Sequence, residues 1–301
     1  MVGLGRYALK GPFHAATVAG VLAVLSLFIP LVSVLSGAII GLVILTQGSR
    51  SGLWVIFVSV VGITLVTYLT NRPPVYGVAI GLVQWLPMVM LAEVLRRTAS
   101  FSFTLLVGAG LALLAVVVQF LVWPQSSEMW TQFMSQLLQG VEQQQDAATL
   151  GQLEQAMRNI AYWMNIMVVA VMYSTFVATL MLSRWFQARL AQNQYHRDEF
   201  YAIKLGRSAA GLALVLMALA AMMQLEILIA LAMVLVAAFV FQGLAVVHKA
   251  ARMRKAKMWL FVLYAMMIFV PQVVALVALL GIVDNWVDFR ARLRGQPEQT
   301  D

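Results

Sequence analysis

Polar side chains interrupt several long apolar stretches of this sequence, and they are the residues whose types could do chemistry there. Gln84, Asn165 and Gln242 are amides in otherwise largely aliphatic surroundings. An unsatisfied amide is costly against hydrocarbon, so each is expected to face protein, where it either bonds a neighbouring helix or lines a ligand cavity. Both interpretations stay open. The candidate ligand-cavity residues are Gln84, Trp85, Glu93, Gln119, Asn165, Tyr173, Gln242 and Gln272.

Glu93 carries a charge near the end of an apolar stretch, beside Arg96 and Arg97. An ionisable residue in a membrane helix is by default a functional candidate. Its position next to two arginines favours an ion pair at the membrane interface instead.

Catalytic motifs are missing from the sequence. It contains no G-x-S-x-G, no G-x-x-x-x-G-K-[ST] and no G-x-G-x-x-G after a strand, which argues against hydrolase and phosphate-cradle chemistry. It has no cysteine and only three widely spaced histidines, so thiolate sites and an H-E-x-x-H metal site are excluded. We expect neither an enzyme nor a protein with a metal or cofactor.

The composition of the chain predicts the kind of structure that positions these residues. The chain has 301 residues, 62% of them hydrophobic and 11% charged, with a mean hydropathy of +0.88. These values predict an all-α polytopic membrane bundle rather than soluble domains. The net charge of +8 comes from short clusters between apolar runs, which is typical of membrane topology and not of a nucleic-acid-binding stripe.

The apolar runs predict about eight or nine transmembrane helices in a single integral membrane domain, residues 1–301. Pro30 divides the first long run into two short helices folded as a hairpin, and Pro271 kinks the last span. The predicted spans are residues 15–29, 31–45, 53–69, 75–95, 101–123, 161–183, 208–222, 227–247 and 258–283.

Two basic segments fix the predicted orientation. Residues 184–207 and 248–257 are rich in Lys and Arg, whereas the long polar segment 124–160 is mainly acidic. Short loops rich in Lys and Arg stay in the cytoplasm, so we expect a bacterial inner-membrane protein with a cytoplasmic N-terminus and a periplasmic insert at 124–160. The candidate partner surface comprises Arg184, Arg189, Arg197, Lys204, Arg207, Lys249, Arg252, Arg254, Lys255 and Lys257.

Two segments outside the spans are predicted to be amphipathic helices. In the insert, apolar residues recur at helical spacing before and after residues 142–146, which predicts two helices joined by a turn. In the tail, Val283, Trp286, Phe289 and Leu293 form one apolar face, so residues 284–294 are expected to lie along the membrane surface, with Asp284, Asp288 and Arg292 on the polar face and disorder from Gly295. An odd span count places this tail outside, although it holds three arginines. Either the tail is tolerated there, partly balanced by Asp284 and Asp288, or one short apolar segment does not cross.

Three segments carry a family resemblance: IPLVSVLSGAIIGLVILTQG, YHRDEFYAIKLGR and LLGIVDNWVDFRARLR. In this order, over about residues 15–294, they resemble the YybS-like family of bacterial polytopic membrane proteins. That family is distantly similar to the substrate-binding subunits of energy-coupling-factor vitamin transporters, which work with a separate ATPase module. The resemblance implies solute binding or uptake. This chain has more spans and an insert, so no ligand residue is carried over.

Two function hypotheses follow. The first is a membrane subunit that binds or moves a small solute and contacts a cytoplasmic partner or energising module through its basic loops. The second is a structural membrane protein that docks a cytoplasmic partner and has no solute. The expected partners are therefore the lipid bilayer, a cytoplasmic protein and a small molecule, with no specific nucleic acid.

Overall fold

The apolar runs fold into helices. The computed structural model describes residues 2–138, 147–191, 195–254, 256 and 258–294, and every regular element within these ranges is helical. A helix satisfies its own backbone groups, as a chain in hydrocarbon must. The helices are α1 (Val2–Ala8), α2 (Pro12–Ser26), α3 (Val32–Gln47), α4 (Ser49–Leu69), α5 (Pro74–Thr98), α6 (Phe101–Val122), α7 (Ser126–Leu138), α8 (Ala147–Leu190), α9 (Tyr195–Tyr201), α10 (Arg207–Met223), α11 (Glu226–Met253), α12 (Met258–Phe269), α13 (Gln272–Val287) and α14 (Phe289–Arg294).

Five of the described helices are long and apolar enough to cross a membrane: α4, α5, α6, α8 and α11. Five more are apolar but shorter, with 10–17 residues: α2, α3, α10, α12 and α13. The prediction of a helical membrane protein is confirmed.

The chain divides into two units. Unit 1 comprises Met1–Gly108 and Ser174–Lys204, and unit 2 comprises Ala109–Tyr173 and Leu205–Asp301. Unit 1 therefore holds α1 to α5 and the C-terminal part of α8, while unit 2 holds α10 to α14 and the N-terminal part of α8.

In unit 1, α2 and α3 form the predicted hairpin around Pro30. The two helices pack against each other, and the Ser36 hydroxyl donates a hydrogen bond to the Ala19 carbonyl at 2.8 Å. The Gln47 amide donates to the Leu9 carbonyl at 3.4 Å, which brings the C-terminal end of α3 back to the chain before α2. Both ends of this hairpin therefore lie together.

The centre of unit 1 is α3. Ten consecutive residues, from Ser36 to Leu45, are buried, as expected for a helix that is apolar on every side. Its glycines admit close neighbours: a Cβ on Gly37 would meet the Thr179 side chain, and one on Gly41 would meet the Met88 and Ser183 side chains.

The helix α8 differs from prediction. The second amphipathic helix of the insert and the sixth span are one continuous helix of 44 residues. Apolar periodicity persists from Leu150 to Ile160 and nothing there breaks a helix, so the polar half simply extends the apolar half. The same helix runs on to Leu190, and α9 follows, so the predicted loop at 184–207 is largely helical. The predicted turn at 142–146 lies outside the described residues.

The last predicted span is two helices and not one kinked helix. The helix α12 ends at Phe269, and α13 begins at Gln272 after Val270 and Pro271. Proline removes a backbone donor and clashes with the preceding turn, which explains the break. The sequence at this break, Phe269-Val270-Pro271, is similar to the sequence between α2 and α3, Phe28-Ile29-Pro30.

The tail also departs from prediction. Asp288 adopts a left-handed conformation, with φ 47°, and separates α13 from α14. Asp284 is fully buried and Arg290 nearly so, whereas Trp286 is 46% exposed, so the charged residues and not the tryptophan point inward. The predicted polar face of the tail was therefore wrong for Asp284. The predicted disorder from Gly295 lies outside the described residues, and so does the side chain of Arg292.

Candidate functional site: a buried carboxylate cluster in unit 2

The most deeply buried charged residue of the described chain is Asp284, near the C-terminal end of α13. Its Oδ2 accepts a hydrogen bond from Nη2 of Arg290 at 2.6 Å and another from Nε2 of Gln242 at 3.1 Å. The Gln242 Oε1 accepts in turn from the Leu205 backbone N–H at 2.9 Å. We call Gln242, Asp284, Asn285 and Arg290 the Asp284 cluster.

Asn285 joins the Asp284 cluster to the start of α10. Its Oδ1 accepts from the Gly206 N–H at 2.9 Å, and its backbone carbonyl accepts from Nε of Arg207 at 3.2 Å. Gly206 has φ 92°, a left-handed conformation that suits glycine. Two amides of the cluster thus satisfy backbone donors just before α10, which has no side-chain cap of its own.

A close helix contact positions the Asp284 cluster. A Cβ on Gly243 of α11 would collide with the Val277 carbonyl, and a Cβ on Gly281 of α13 would collide with the Phe239 carbonyl. Small residues at such a contact let two backbones approach closely. Gly281, Asp284 and Asn285 lie at i, i+3 and i+4, so the helix face that packs on α11 also carries the polar side chains.

The second oxygen of Asp284 gives the cluster a chemical capacity beyond packing. Oδ1 is buried and accepts no hydrogen bond from any described residue. A buried carboxylate oxygen without a donor is costly, and native structures usually satisfy such atoms with protein, water or ligand. Oδ1 can accept one hydrogen bond from an N–H or O–H group, while Arg290 balances the charge.

A second polar group in unit 2 joins three helices. Nε2 of Gln119 donates to Oδ1 of Asn165 at 3.0 Å and to the Asn165 carbonyl at 3.1 Å, and Nδ2 of Asn165 lies 3.4 Å from Oε2 of Glu226. Asn165 is buried, and Glu226 begins α11. Two predicted residues, Gln119 and Asn165, are therefore brought together here.

Gln84 and Trp85 lie in unit 1. Nε2 of Gln84 donates to the Ser33 carbonyl of α3 at 3.2 Å, which is the helix-to-helix bond that the sequence allowed. Trp85 is fully buried, and its indole N–H finds no acceptor among the described residues. Gln84 therefore links α5 to α3.

The remaining predicted cavity residues have separate surroundings. Glu93 forms ion pairs with Arg96 at 2.8 Å and Arg97 at 2.6 Å, as predicted from their spacing; the interfacial position of this pair stays a prediction. Tyr173 is buried in unit 2, with its ring edge-on to Phe241. Gln272 is exposed at the start of α13.

The candidate partner residues differ in their contacts and in their exposure. Arg184 pairs with Glu199 through two hydrogen bonds, one of them from Nε to Oε2 at 2.9 Å, and Arg189 lies 5.7 Å over the Trp185 ring. Lys249 is half-buried, whereas Lys204, Arg207, Arg252 and Arg254 are exposed. Lys255, Lys257 and the Arg197 side chain lie outside the described part of the chain.

Sequence reasoning missed Asp284, Asn285, Arg290 and Glu226 as members of polar clusters. It placed the first three on a surface tail because they follow the last apolar run. The available signal was the spacing Gly281, Asp284, Asn285, where a glycine on the same helix face marks close packing.

The family comparison agrees with these observations. The family model described as "Predicted membrane protein (DUF2232)" matches residues 17–285. No curated protein and no solved structure matches the chain significantly. The description of the matching family names neither the YybS-like family nor energy-coupling-factor transporters, so both resemblances stay predictions. It spans both units and most of the chain, and the protein therefore belongs to the DUF2232 family of membrane proteins.

Proposed function

We propose that the protein binds a small polar solute inside the membrane, as a binding or transport subunit without catalytic chemistry. The observation that carries this proposal is the buried Asp284 carboxylate, whose Oδ1 accepts no hydrogen bond among the described residues. Ionisable residues at membrane depth are expensive and are usually tied to substrate or ion pathways.

The chemistry of the cluster limits the solute class. Arg290 and Gln242 already donate to Oδ2, so the remaining demand of the site is a donor for Oδ1. A solute with an amide, amine or hydroxyl donor meets that demand.

Broken helices support the same proposal. Two apolar segments are interrupted by proline, at Pro30 in unit 1 and at Pro271 in unit 2. In transporters, interrupted hydrophobic segments are a pointer to the substrate site. The break at Pro271 precedes Asp284 by less than one helix length.

Thermal shift assays test the solute proposal. Purified protein in detergent is heated with panels of amides, polyols and amines, and at least one class is expected to raise the Tm. A ligand at 100 times its Kd stabilises by about 2.7 kcal/mol. The Asp284→Asn variant keeps an oxygen for Gln242 and Arg290 but loses the carboxylate Oδ1, so it is expected to lose the Tm increase.

The matched control is Glu154→Gln, the same change of chemistry at an exposed ion pair of α8. It is expected to respond to solute as the wild type does. A Tm increase of equal size in Asp284→Asn, or no increase for any solute in the wild type, contradicts the proposal.

We propose further that the protein lies in the bacterial cytoplasmic membrane with its N-terminus and basic segments in the cytoplasm. The support is the charge distribution: residues 184–207 and 248–257 hold ten of the twenty Lys and Arg residues.

A second candidate function is docking of an acidic cytoplasmic partner, such as an energising module, on the basic residues after α11. Arg252 and Arg254 are exposed and follow the half-buried Lys249. Charges so arranged accelerate association with an acidic surface more than they stabilise the fold.

Changing Arg252, Arg254 and Lys255 together to glutamine is expected to reduce partner recovery several-fold in cross-linked pull-downs. The Tm should stay close to that of the wild type, because exposed charges such as those of Arg252 and Arg254 contribute little to stability. The control variant carries Arg72→Gln and Arg158→Gln, which lie in other segments and should leave recovery unchanged. Equal recovery from both variants removes this surface from the proposal.

A further inference from the structure

The helices α12 and α13 are each short for a membrane span. They have 12 and 16 residues, so they reach about 18 and 24 Å at 1.5 Å per residue. The hydrocarbon core is about 30 Å thick. A break at Val270 and Pro271 separates them, so their relative direction is decided by what the two ends contact.

The entry to this helix pair lies at the basic end of α11. Because Gln224 and Leu225 alone link α10 to α11, these helices are antiparallel neighbours, and Arg207 of α10 lies at the same end as the C-terminal part of α11. The helix α12 follows that end and folds back, since the Tyr264 hydroxyl lies 3.3 Å from Nε2 of His248.

The exit from the helix pair lies at the same end. Asn285 accepts a hydrogen bond from the Gly206 N–H, and Arg207 donates to the Asn285 carbonyl, so the C-terminal end of α13 lies beside the start of α10. The chain therefore enters α12 and leaves α13 on one side, the side of Arg207 and Arg254.

Contacts and exposure indicate where the helix pair lies relative to the membrane. Gly281 contacts the Phe239 carbonyl, within the apolar part of α11. No residue of α12 is buried, and Met258, Phe261 and Phe269 are each more than 70% exposed. A twelve-residue apolar helix with this exposure fits the acyl chains of lipid, not water.

We propose that α12 and α13 form a re-entrant hairpin, with α12 facing lipid acyl chains and its tip at Pro271 inside the bilayer. The C-terminal tail then lies on the same side as Arg207 and Arg254. This arrangement does not depend on the solute proposal.

Charge supports the re-entrant hairpin. In this arrangement six helices each cross the membrane once: α4, α5, α6, α8, α10 and α11. The chain enters and leaves each of the hairpins α2–α3 and α12–α13 on the same side of the membrane. Arg290, Arg292 and Arg294 then lie on the same side as the other basic segments. Eighteen of the twenty Lys and Arg residues then lie on one side, with only Arg72 and Arg158 opposite. A complete crossing by α12 and α13, the seventh in this count, would move these three arginines to the opposite side.

Single-cysteine labelling tests the hairpin directly, because the chain contains no cysteine to remove. Arg254→Cys marks the basic side, Gln224→Cys marks the other side, Gln299→Cys reports the tail and Phe269→Cys reports the tip. An impermeant maleimide is applied to vesicles of each orientation. The tail is expected to be labelled from the same side as Arg254→Cys, and the tip at least ten-fold more slowly than either marker from both sides.

Two outcomes overturn the hairpin. Labelling of Gln299→Cys from the side of Gln224→Cys means that residues 258–287 cross the membrane completely. Labelling of Phe269→Cys as fast as Arg254→Cys means that the tip lies in water. Elution of each variant at the position of the wild type in size-exclusion chromatography shows that the variant is folded.

Discussion

Replacing Asp284 by alanine is expected to lower the free energy of unfolding by about 3–5 kcal/mol, the usual cost of removing one partner of a buried ion pair. Arg290 is only 7% exposed and would lose the carboxylate oxygen to which it donates, and Gln242 would lose its acceptor. The measurement is a denaturant titration in detergent micelles, followed by circular dichroism.

The reciprocal change separates the ion pair from general packing. Arg290→Ala is expected to cost a similar amount, because it leaves Asp284 buried and uncompensated. The double variant removes both charges, so its loss should be clearly smaller than the sum of the two single losses. The control, Glu154→Ala, breaks an exposed pair with Arg158 and should change stability by about 0.5 kcal/mol or less. Additive losses in the double variant would contradict the coupling.

Replacing Gly243 by alanine is expected to force α11 and α13 apart. The new Cβ would collide with the Val277 carbonyl, and a backbone atom cannot rotate away as a side chain can. Overpacking typically costs about 1–3 kcal/mol, and separation of the helices would also weaken the Gln242–Asp284 hydrogen bond. We expect a loss of about 3 kcal/mol in the same titration.

Gly211 of α10 provides the matched control, because a Cβ there meets nothing within 4 Å. Alanine at a compatible helix position normally stabilises by about 0.4–1 kcal/mol, since glycine has the more flexible unfolded chain. The two substitutions are chemically identical and should have opposite signs. A gain in stability from Gly243→Ala would show that the contact between α11 and α13 can accommodate an added Cβ.

Much of the fold could be predicted because hydrocarbon imposes simple rules. Long apolar runs gave the helices, Pro30 gave the break between α2 and α3, and Glu93 beside two arginines gave the ion pair. Each of these depends on residues close in sequence, where spacing and chain geometry decide the result.

The Asp284 cluster could not be predicted, because its members meet only through the tertiary contact of α11 with α13. Asp284 and Gln242 are 42 positions apart, and Gly206 and Asn285 are 79 apart. Hydrophobic periodicity assigned the residues after Ile282 to a surface helix, with the apolar residues inward. A buried salt bridge is an exception to this rule, because each charge compensates the other once the glycines let α11 and α13 approach closely.

The continuity of α8 escaped prediction for a different reason. Its first turns are polar and its later turns apolar, and a change of composition was taken as a change of element. Helix propensity is indifferent to that change, because Ala, Leu, Gln, Glu and Met all favour helix in either solvent.

The burial of α3 has a consequence for the order in which the nascent chain can assemble. Its central glycines pack on Thr179 and Ser183, and the Leu45 carbonyl accepts from Gln187, which is 142 positions later. Protein synthesis adds about 5–20 residues per second, so roughly 7–28 s pass before the residues that pack on that side of α3 have been made. Throughout this interval unit 1 is incomplete, and the side of α3 that later contacts Thr179 and Ser183 is covered by lipid or by the insertion machinery. Completion of unit 1 is therefore a late, post-insertion event, although most of its helices are the first to leave the ribosome.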